Sequence, residues 1–302
     1  MSYTITQARI KKFDPEVKGI YQANSKLGGI FKVNNARGAS TYQVTRLGYG
    51  IGSRSIPGSD IPNMNSATIP TTITLENWNH AEYIDYFQAG EVNWDAVEKA
   101  ATEVCAPACG RRQDQIILGK LDELPNTNDI PFNYNGTAAG DNTQRGISAR
   151  MVQHANAILS WNAVPMEDRY FIAPYALLEV MLSDPNFTSR DYVHNLTPAL
   201  DGKMVSFGGF KWVFMANNPE GGMSHTNDSD GTWIYNCFAC HKRAVEIAVG
   251  EGNFGDSGTA MLRIDRVPEK GSWLVNAPLS CGAAIVEEKG IVRVKAKIAA
   301  LG

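Results

Sequence analysis

The sequence predicts an α+β fold in which a basic segment and a long two-stranded loop precede a long helix, an alternating α/β segment and a closing set of strands. Three observations lead to this prediction. Residues 1–54 hold nine basic side chains and two acids, so this stretch carries +7 and the remaining residues carry −10. Two β-branched runs flank a glycine- and proline-rich stretch at 48–62. Apolar residues spaced three and four apart then begin at Trp94.

The composition is that of a soluble globular protein without a membrane span or a disulfide framework. A chain of 302 residues, 43% hydrophobic and 20% charged, should form one or two domains. Its longest apolar run, at 175–182, contains Glu179 and is far shorter than the roughly 18 residues of a spanning helix. The first residues lack the apolar core of a signal peptide, and an odd number of cysteines, five, indicates reduced thiols. We therefore expect a chain made and kept in a cytoplasm-like compartment.

The N-terminal segment, residues 1–35, shows no sustained helical or strand periodicity and contains three glycines. This pattern is typical of an extended arm that lies on another surface. Its charge leaves two interpretations open. The arm is either a solvated segment, or it faces something anionic such as nucleic acid or an acidic partner.

The two-stranded loop consists of a strand-like alternation at Thr41–Arg46, a tip at 48–62 and a second strand-like run at Thr68–Glu76. The tip is rich in Gly, Pro and Ser and cannot build a core. Because an isolated two-stranded hairpin is only marginally stable in water, we expect this loop to lie on a neighbouring surface.

The clearest helix begins after Asn93, which can cap it, and has Asp95 in its first turn. Its apolar stripe consists of Trp94, Val97, Ala101, Val104 and Ala108, and resumes at Ile116, Ile117 and Leu121. Pro107 and Gly110 lie between the two halves, so the pattern allows a kinked helix or two helices. We favour one long, kinked helix.

Residues 122–146 are polar and rich in turn-forming residues, which marks a boundary. An α/β alternation follows. It begins with a helix, whose apolar stripe is Ile147, Met151, Ala155 and Leu159, and continues with a strand at Arg169–Ala173. Pro174 then opens a second helix at its first turn, and this helix carries Leu177, Leu178 and Met181. The predicted elements after it are strands at Phe210–Ala216 and Ile234–Ala239, a short helix at Ala244–Val249, strands at Met261–Val267, Ser272–Asn276 and Ala283–Val286, a turn at Glu287–Gly290, and a strand at Ile291–Ile298.

Cys237, Cys240 and His241 have the spacing of covalent c-type haem attachment, in which two thiols bond the porphyrin and the imidazole ligates iron. That chemistry needs export, for which the sequence shows no signal. The aromatic-flanked run at 233–235 suits a buried strand. We therefore favour a strand with packed thiols over a haem site.

Cys105 and Cys109 could join Cys237 and Cys240 in a four-thiolate zinc site, since such sites are built from two close pairs. The pairs are far apart in sequence, and the first lies on an apolar helix stretch. Cysteine in that setting usually behaves as a small hydrophobe, and we favour this interpretation.

Gly255–Gly258, with the sequence Gly-Asp-Ser-Gly, is similar to the nucleophile segment of chymotrypsin-like proteases. Its base would be His80, which lies outside that family's histidine motif, so a turn before a strand is favoured. His154, His194 and His225 are isolated, and no phosphate loop, dinucleotide motif or zinc-protease motif occurs. The sequence predicts no catalytic residue, no cofactor site and no metal site.

Three stretches resemble the tailed-bacteriophage major capsid proteins of the Hong Kong 97 fold. Residues 164–192 are similar to the family's strand that leads through proline into a helix, and 202–217 to the glycine and aromatic strand after it. Residues 238–248 are similar to its short His-Lys-x-Ala segment, which also gives an ordinary explanation of the haem-like spacing. Pro107 and Gly110 depart from the family, because they interrupt what should be a continuous spine helix.

The resemblance implies four parts of the chain. Residues 1–35 would be an N-terminal arm and 36–76 an extended loop that overlaps a neighbouring subunit. A peripheral domain around the spine helix would comprise 77–125 and 255–302. The axial domain near the local symmetry axes would comprise 147–250.

The implied function is that of a virion shell protein, which forms hexamers and pentamers around double-stranded DNA and has no catalytic role. Its partners would be further copies of itself, packaged DNA bound by charge, and separate scaffolding, portal and decoration proteins, with assembly in the host cytoplasm. Two alternatives stay open. One is an encapsulin-like nanocompartment shell; the other is a cytoplasmic zinc- or thiol-dependent enzyme that uses the four paired cysteines.

Overall fold

The computed structural model describes residues 25–50, 60, 66–85, 94–125, 128–134, 146–188, 206–216, 221–228, 230–250 and 263–299. Several predictions lie outside these residues: the arm at 1–24, most of the loop tip, the cap at Asn93, the Gly255–Gly258 motif and His194.

The first eight described strands are β1 (Lys32–Asn35), β2 (Thr41–Leu47), β3 (Thr68–Thr74), β4 (Glu76–Asp85), β5 (Asp129–Ile130), β6 (Arg169–Pro174), β7 (Ser206–Phe207) and β8 (Phe210–Met215). The others are β9 (His225–Asn227), β10 (Thr232–His241), β11 (Val245–Val249), β12 (Arg263–Val267), β13 (Ser272–Ile285) and β14 (Ile291–Ala299). The described helices are α1 (Trp94–Asp122), α2 (Ala149–Trp161), α3 (Ala176–Ser183) and α4 (Pro185–Thr188).

The chain divides into two compact units. The described residues of the first unit fall within 78–109 and 252–279, and those of the second within 23–77, 110–251 and 280–302. In the first unit, β12 pairs with the beginning of β13 in an antiparallel ladder from Arg263↔Asn276 to Val267↔Ser272. Strand β4 also pairs with β13. In the second unit, the last part of β13 pairs with β11, and β11 pairs with β1.

The second unit contains a seven-stranded sheet of order β5-β14-β10-β6-β8-β7, with β9 paired to β10. Its core is aromatic where β6 and β8 run parallel, since Phe171 stacks on Trp212 with ring centroids 4.2 Å apart. Helix α2 lies against β14 and buries the stripe that its sequence predicts, at Met151, Ala155 and Leu159. Ser148 caps this helix by accepting a hydrogen bond from the Met151 amide.

Helix α1 is one helix of 29 residues that contains Pro107, so the single-helix prediction is confirmed. Its buried stripe differs from the predicted one by a residue: Cys105 and Cys109 are buried, whereas Val104 and Ala108 are half buried. The two cysteines therefore pack as small hydrophobes, and counting them as apolar places the stripe correctly.

The segment Ala244–Val249 is not a helix, as the sequence had suggested, but contains strand β11. This strand pairs antiparallel with β13 and parallel with β1, and most of its side chains are buried. A strand buried on both faces loses its alternation, so periodicity cannot distinguish it from a short helix. The prediction failed for this reason.

The two strands predicted at Ser272–Asn276 and Ala283–Val286 form one continuous strand, β13. Its first part pairs with β12 and its last part with β11, and Pro278 lies between the two ladders. A proline has no N–H to donate, so it fits at the point where the strand changes partners.

Pro174 ends β6 and does not open α3, because it pairs with Met215 in the β6–β8 ladder.

Strand β4 is the long element that the sequence prediction missed. Its alternation is weak, because Asn77, Asn79 and Ala81 stand on its exposed face. The remaining strand predictions are confirmed within one or two residues, apart from Met261, which is outside the described residues. Among the described residues, the helices are too short or too polar to cross a membrane.

Candidate assembly surface

The two-stranded loop is an antiparallel ladder in which Thr41 pairs with Thr74 and Leu47 with Thr68. Its inner face carries Tyr42 and Val44 on one strand, opposite Ile73 and Thr71 on the other. The outer face carries mainly threonines, which β-strands tolerate well and water solvates. The sequence alternation therefore produces one apolar face, as expected for a half-covered ladder.

The exposure of the loop's apolar side chains increases from its base towards its tip. Ile73 is 0% exposed at the base, Ile69 is 43% exposed, and Leu47 and Tyr49 are 76% and 88% exposed near the tip. The loop's own unit thus covers its base but leaves its outer half bare. Several large exposed apolar side chains in one segment indicate an interaction site.

The base of the loop is fixed firmly to its own unit. Ile73 packs in a small core with Ala36 and Ala248, and the Leu75 amide donates to the Ser40 carbonyl at 2.9 Å. The Thr74 carbonyl also occupies the space that a Cβ on Gly282 would need. Glycine is therefore required at 282 for the loop to approach β13 this closely.

A cleft of about 1150 Å³ opens between the inner face of the loop and the rest of the second unit. Its opposite wall consists of three turns, at 161–165, 241–246 and 286–290. Trp161 stands on this wall and is 91% exposed. Two ion pairs cross the cleft or line it: Arg46 with Glu287, and Lys32 with Glu246.

The start of the described chain, residues 25–28, is bound to helix α1 through Asp114. The Asp114 carboxylate accepts hydrogen bonds from the Lys26 amide at 2.9 Å, the Leu27 amide at 3.1 Å and the Ser25 hydroxyl at 2.9 Å. Burial raises the pKa of Asp114, and these hydrogen bonds act against the rise. The carboxylate thus fixes the point at which the predicted arm leaves the unit.

Lys26 fixes the same segment from the other side. Its Nζ donates to the Tyr175 hydroxyl at 2.6 Å and to the Phe214 carbonyl at 2.7 Å, and it lies over the Tyr175 ring. Leu27 and Phe31 are buried, and β1 then joins β11. Within the predicted arm, residues 25–35 are therefore part of the folded unit.

The cysteines are all free and buried, as packed thiols should be. Cys105 and Cys109 belong to the first unit, and Cys237 and Cys240 to the second. No group of three or more potential metal-binding side chains occurs among the described residues. Burial raises the pKa of Cys109 to about 11 and that of Cys240 to about 12. Such thiols are poor nucleophiles near neutral pH.

The histidines that sequence analysis singled out have other neighbours. His80 Nδ1 lies 3.4 Å from Cys109 Sγ, and Ser257, its partner in a protease-like arrangement, is outside the described residues. His154 stacks on Tyr134, and His225 stacks on Trp233. His241 makes a structural contact: its Nδ1 accepts a hydrogen bond from the Arg243 amide at 3.2 Å.

Two important residues were not predicted from the sequence: Asp114, which binds residues 25–27, and Trp161, which stands on the wall of the cleft. Asp114 could have been found from the sequence, because it is an acidic residue inside the apolar stripe of a helix. A buried carboxylate needs hydrogen-bond donors around it, so such a residue indicates a binding partner. Trp161 gave no signal, since an aromatic residue at a helix end is usually packed.

The family model for phage capsid protein matches residues 5–298 of the chain. No curated protein matches it significantly in sequence.

The chain is similar in structure to the capsid of cyanophage P-SCSP1u, with a TM-score of 0.71 and 14% identity, covering 100% of this chain and 96% of that one. It is also similar to the head of Helicobacter pylori bacteriophage KHP40, with a TM-score of 0.72, 10% identity and coverage of 98% and 99%. The capsid of the native GTA particle is similar with a TM-score of 0.67 and 12% identity, and the match covers 98% of each chain. At identities this low, the similarity is one of fold. It confirms the predicted Hong Kong 97 architecture.

Proposed function

The chain belongs to the phage capsid protein family, and we propose that its extended loop joins copies of it into hexamers and pentamers of an icosahedral shell that encloses double-stranded DNA. Its role is that of a tailed-phage major capsid protein, a structural protein. The family match favours this role over the encapsulin-like shell and over a thiol-dependent enzyme. Portal, scaffolding and decoration proteins are the further partners that the family implies.

The observation that carries the proposal is the increase in exposure along the loop. Apolar side chains that a single subunit leaves bare near the tip, Leu47 and Tyr49, become buried when a second subunit covers them. Burying each such side chain contributes about 1.5–3 kcal/mol. Many small interfaces of this kind, repeated by symmetry, stabilise a closed shell.

We assign parts of the chain to the shell as follows. Residues 36–76 form the extended loop, 77–125 with 255–302 the peripheral domain, and 147–250 the axial domain. Residues 1–35 include the arm. Its positive charge, part of the +7 of residues 1–54, supports an inward position against packaged DNA, where contacts with phosphates need no base reading.

The test is the deletion of residues 48–62, which include the exposed Tyr49. The deleted subunit should remain folded, since the base of the loop is held by Ile73 and by the Leu75 amide. It should no longer form shells. Light scattering on a sizing column, with negative-stain microscopy of the same fraction, measures the mass and shape of both proteins.

The control replaces residues 51–59 with a Gly/Ser segment of equal length, which keeps the loop's reach and both strands. Megadalton shells from the natural chain, with a monomeric deletion variant, support the proposal. Normal shells from the deletion variant contradict the role of the loop. Unchanged assembly after replacement of Cys105, Cys109, Cys237 and Cys240 by alanine argues against a metal-dependent alternative.

A further inference from the structure

Trp161 is the most exposed large apolar side chain of the cleft, at 91%, and stands at the C-terminal end of α2. Leu47, Tyr49 and Ile69 line the same cleft on the side of the loop. Exposed tryptophan is unusual on a free surface, because its ring is large and mostly apolar. A cluster of such side chains around one cleft indicates that something covers it.

The turn that presents Trp161 is rigid. Its backbone ends α2 with the Ala163 amide donating to the Ser160 carbonyl and the Val164 amide donating to the Leu159 carbonyl, each at 3.0 Å. Ala163 has φ 57, a left-handed conformation that usually requires glycine. A strained backbone of this kind persists only where its surroundings hold it.

Arg169 supplies that support. Its buried guanidinium donates to the Val164 carbonyl at 2.6 Å, to the Pro165 carbonyl at 2.8 Å and to the Ser160 hydroxyl at 3.1 Å. Asn156 also accepts hydrogen bonds from it. The turn at 161–165 is therefore ordered before any partner arrives, which lowers the entropic cost of binding.

The cleft also carries positive charge that its own residues do not neutralise. Lys32 and Arg46 are paired with acids, but Arg243 and Lys289 have no ion-pair partner among the described residues. Lys289 lies over the Tyr49 ring. The cleft thus contains Trp161, Tyr49 and Arg243, which belong to the residue types enriched in interface hot spots, and a second cation, Lys289.

We propose that this cleft binds a second copy of the chain, with Trp161 as the central anchor and Arg243 and Lys289 attracting an acidic edge of that copy. The charge distribution favours this occupant, because residues 55–302 carry a net charge of −10, opposite in sign to Arg243 and Lys289. The inference rests on the proposed function and identifies the receiving surface on the subunit.

The first experiment compares Trp161→Ala with Met166→Ala as its matched control. Met166 is 72% exposed and follows the same turn but does not line the cleft. Both variants should unfold at the temperature of the natural chain, since neither side chain is packed. The concentration of free subunits in equilibrium with shells should rise at least tenfold for Trp161→Ala and stay unchanged for Met166→Ala.

Trp161→Phe should recover most of the assembly, and the double variant Arg243→Glu, Lys289→Glu should weaken it most at low salt. An unchanged free-subunit concentration for Trp161→Ala overturns the inference while leaving the capsid function intact. Absence of shells from the natural chain, by contrast, counts against the proposed function itself.

A second experiment identifies the occupant directly. A photoreactive benzoylphenylalanine at position 161 is irradiated in assembled shells, and the products are mapped by mass spectrometry. Products that join two copies of the chain support the inference. Products confined to one chain, or joined to nucleic acid or to a different protein, overturn it.

Discussion

Asp114 and Arg169 are buried charged side chains that hold backbone segments. Asp114 accepts the amides of Lys26 and Leu27, and Arg169 donates to the carbonyls of Val164 and Pro165. Charged groups form stronger hydrogen bonds than neutral ones in a buried setting, so each can fix a loop. Asp114 positions the root of the arm in this way, and Arg169 positions the turn of Trp161, which is proposed to meet another copy.

The role of Asp114 can be tested by Asp114→Ala. The amides of Lys26 and Leu27 lose their acceptor, so the free energy of unfolding should fall by about 2–3 kcal/mol. Hydrogen exchange at these two amides should accelerate more than at the amides of β14. Urea unfolding and native-state hydrogen exchange measure the two effects.

The control lies on the same helix. Lys120 pairs with Glu123 at 2.9 Å on an exposed surface, and Lys120→Ala should change the free energy of unfolding by less than about 0.5 kcal/mol. Equal effects of the two substitutions on the free energy of unfolding would show that Asp114 stabilises the fold no more than a surface charge does.

At the scale of the element, helix α1 contains two glycines with different roles. A Cβ on Gly110 would lie 2.7 Å from Ser25 Cβ, whereas a Cβ on Gly119 would meet nothing within 4 Å. Gly110 therefore admits the segment that Asp114 binds. This close approach explains the glycine that interrupts the apolar stripe of the spine helix.

The two glycines give a matched pair of substitutions. Gly119→Ala should raise the free energy of unfolding by about 1 kcal/mol, since alanine favours a helix more than glycine does. Gly110→Ala gains the same helix preference but must displace Ser25, and should lower stability by about 1 kcal/mol. Denaturant unfolding of both variants measures the sign of each change in the free energy of unfolding. An increase for both variants would show that Ser25 can move aside without cost.

Elements with a clear period were predictable from sequence. The ladder of β2 and β3, the stripe of α2 and the alternation of β8 each follow from local side-chain spacing. Strand β11 was mistaken for a helix, because side chains on both of its faces are buried and the alternation is lost. The order of strands in a sheet is a long-range property that a local window does not contain.

At the scale of the whole molecule, the buried thiols make stability depend on pH in the alkaline range. Burial raises the pKa of Cys109 to about 11 and the pKa values of Cys240 and Cys281 to about 12. In the unfolded chain these thiols ionise near their ordinary pKa of about 9. Their contribution is therefore fully present below that pH and is lost as the pH rises through the folded values.

We expect the free energy of unfolding to fall steadily from about pH 9 to pH 11. The fall should be less steep in Cys240→Ala, which removes one of these thiols while leaving the lysines and tyrosines unchanged. Chemical denaturation across this pH range measures both slopes. Equal slopes for the two proteins would show that Cys240 does not contribute.

Local spacing, composition and turn chemistry were enough to predict the long helix, the two-stranded loop, the packed thiols and the basic N-terminal stretch. Three features depend on the packing of remote segments: Asp114 binds residues 25–27, β13 is one strand with three partners, and Trp161 stands exposed in a cleft. The physical reason is distance along the chain. Hydrogen-bond partners and solvent exposure depend on which remote segments pack together, whereas periodicity records only which face of an element is apolar.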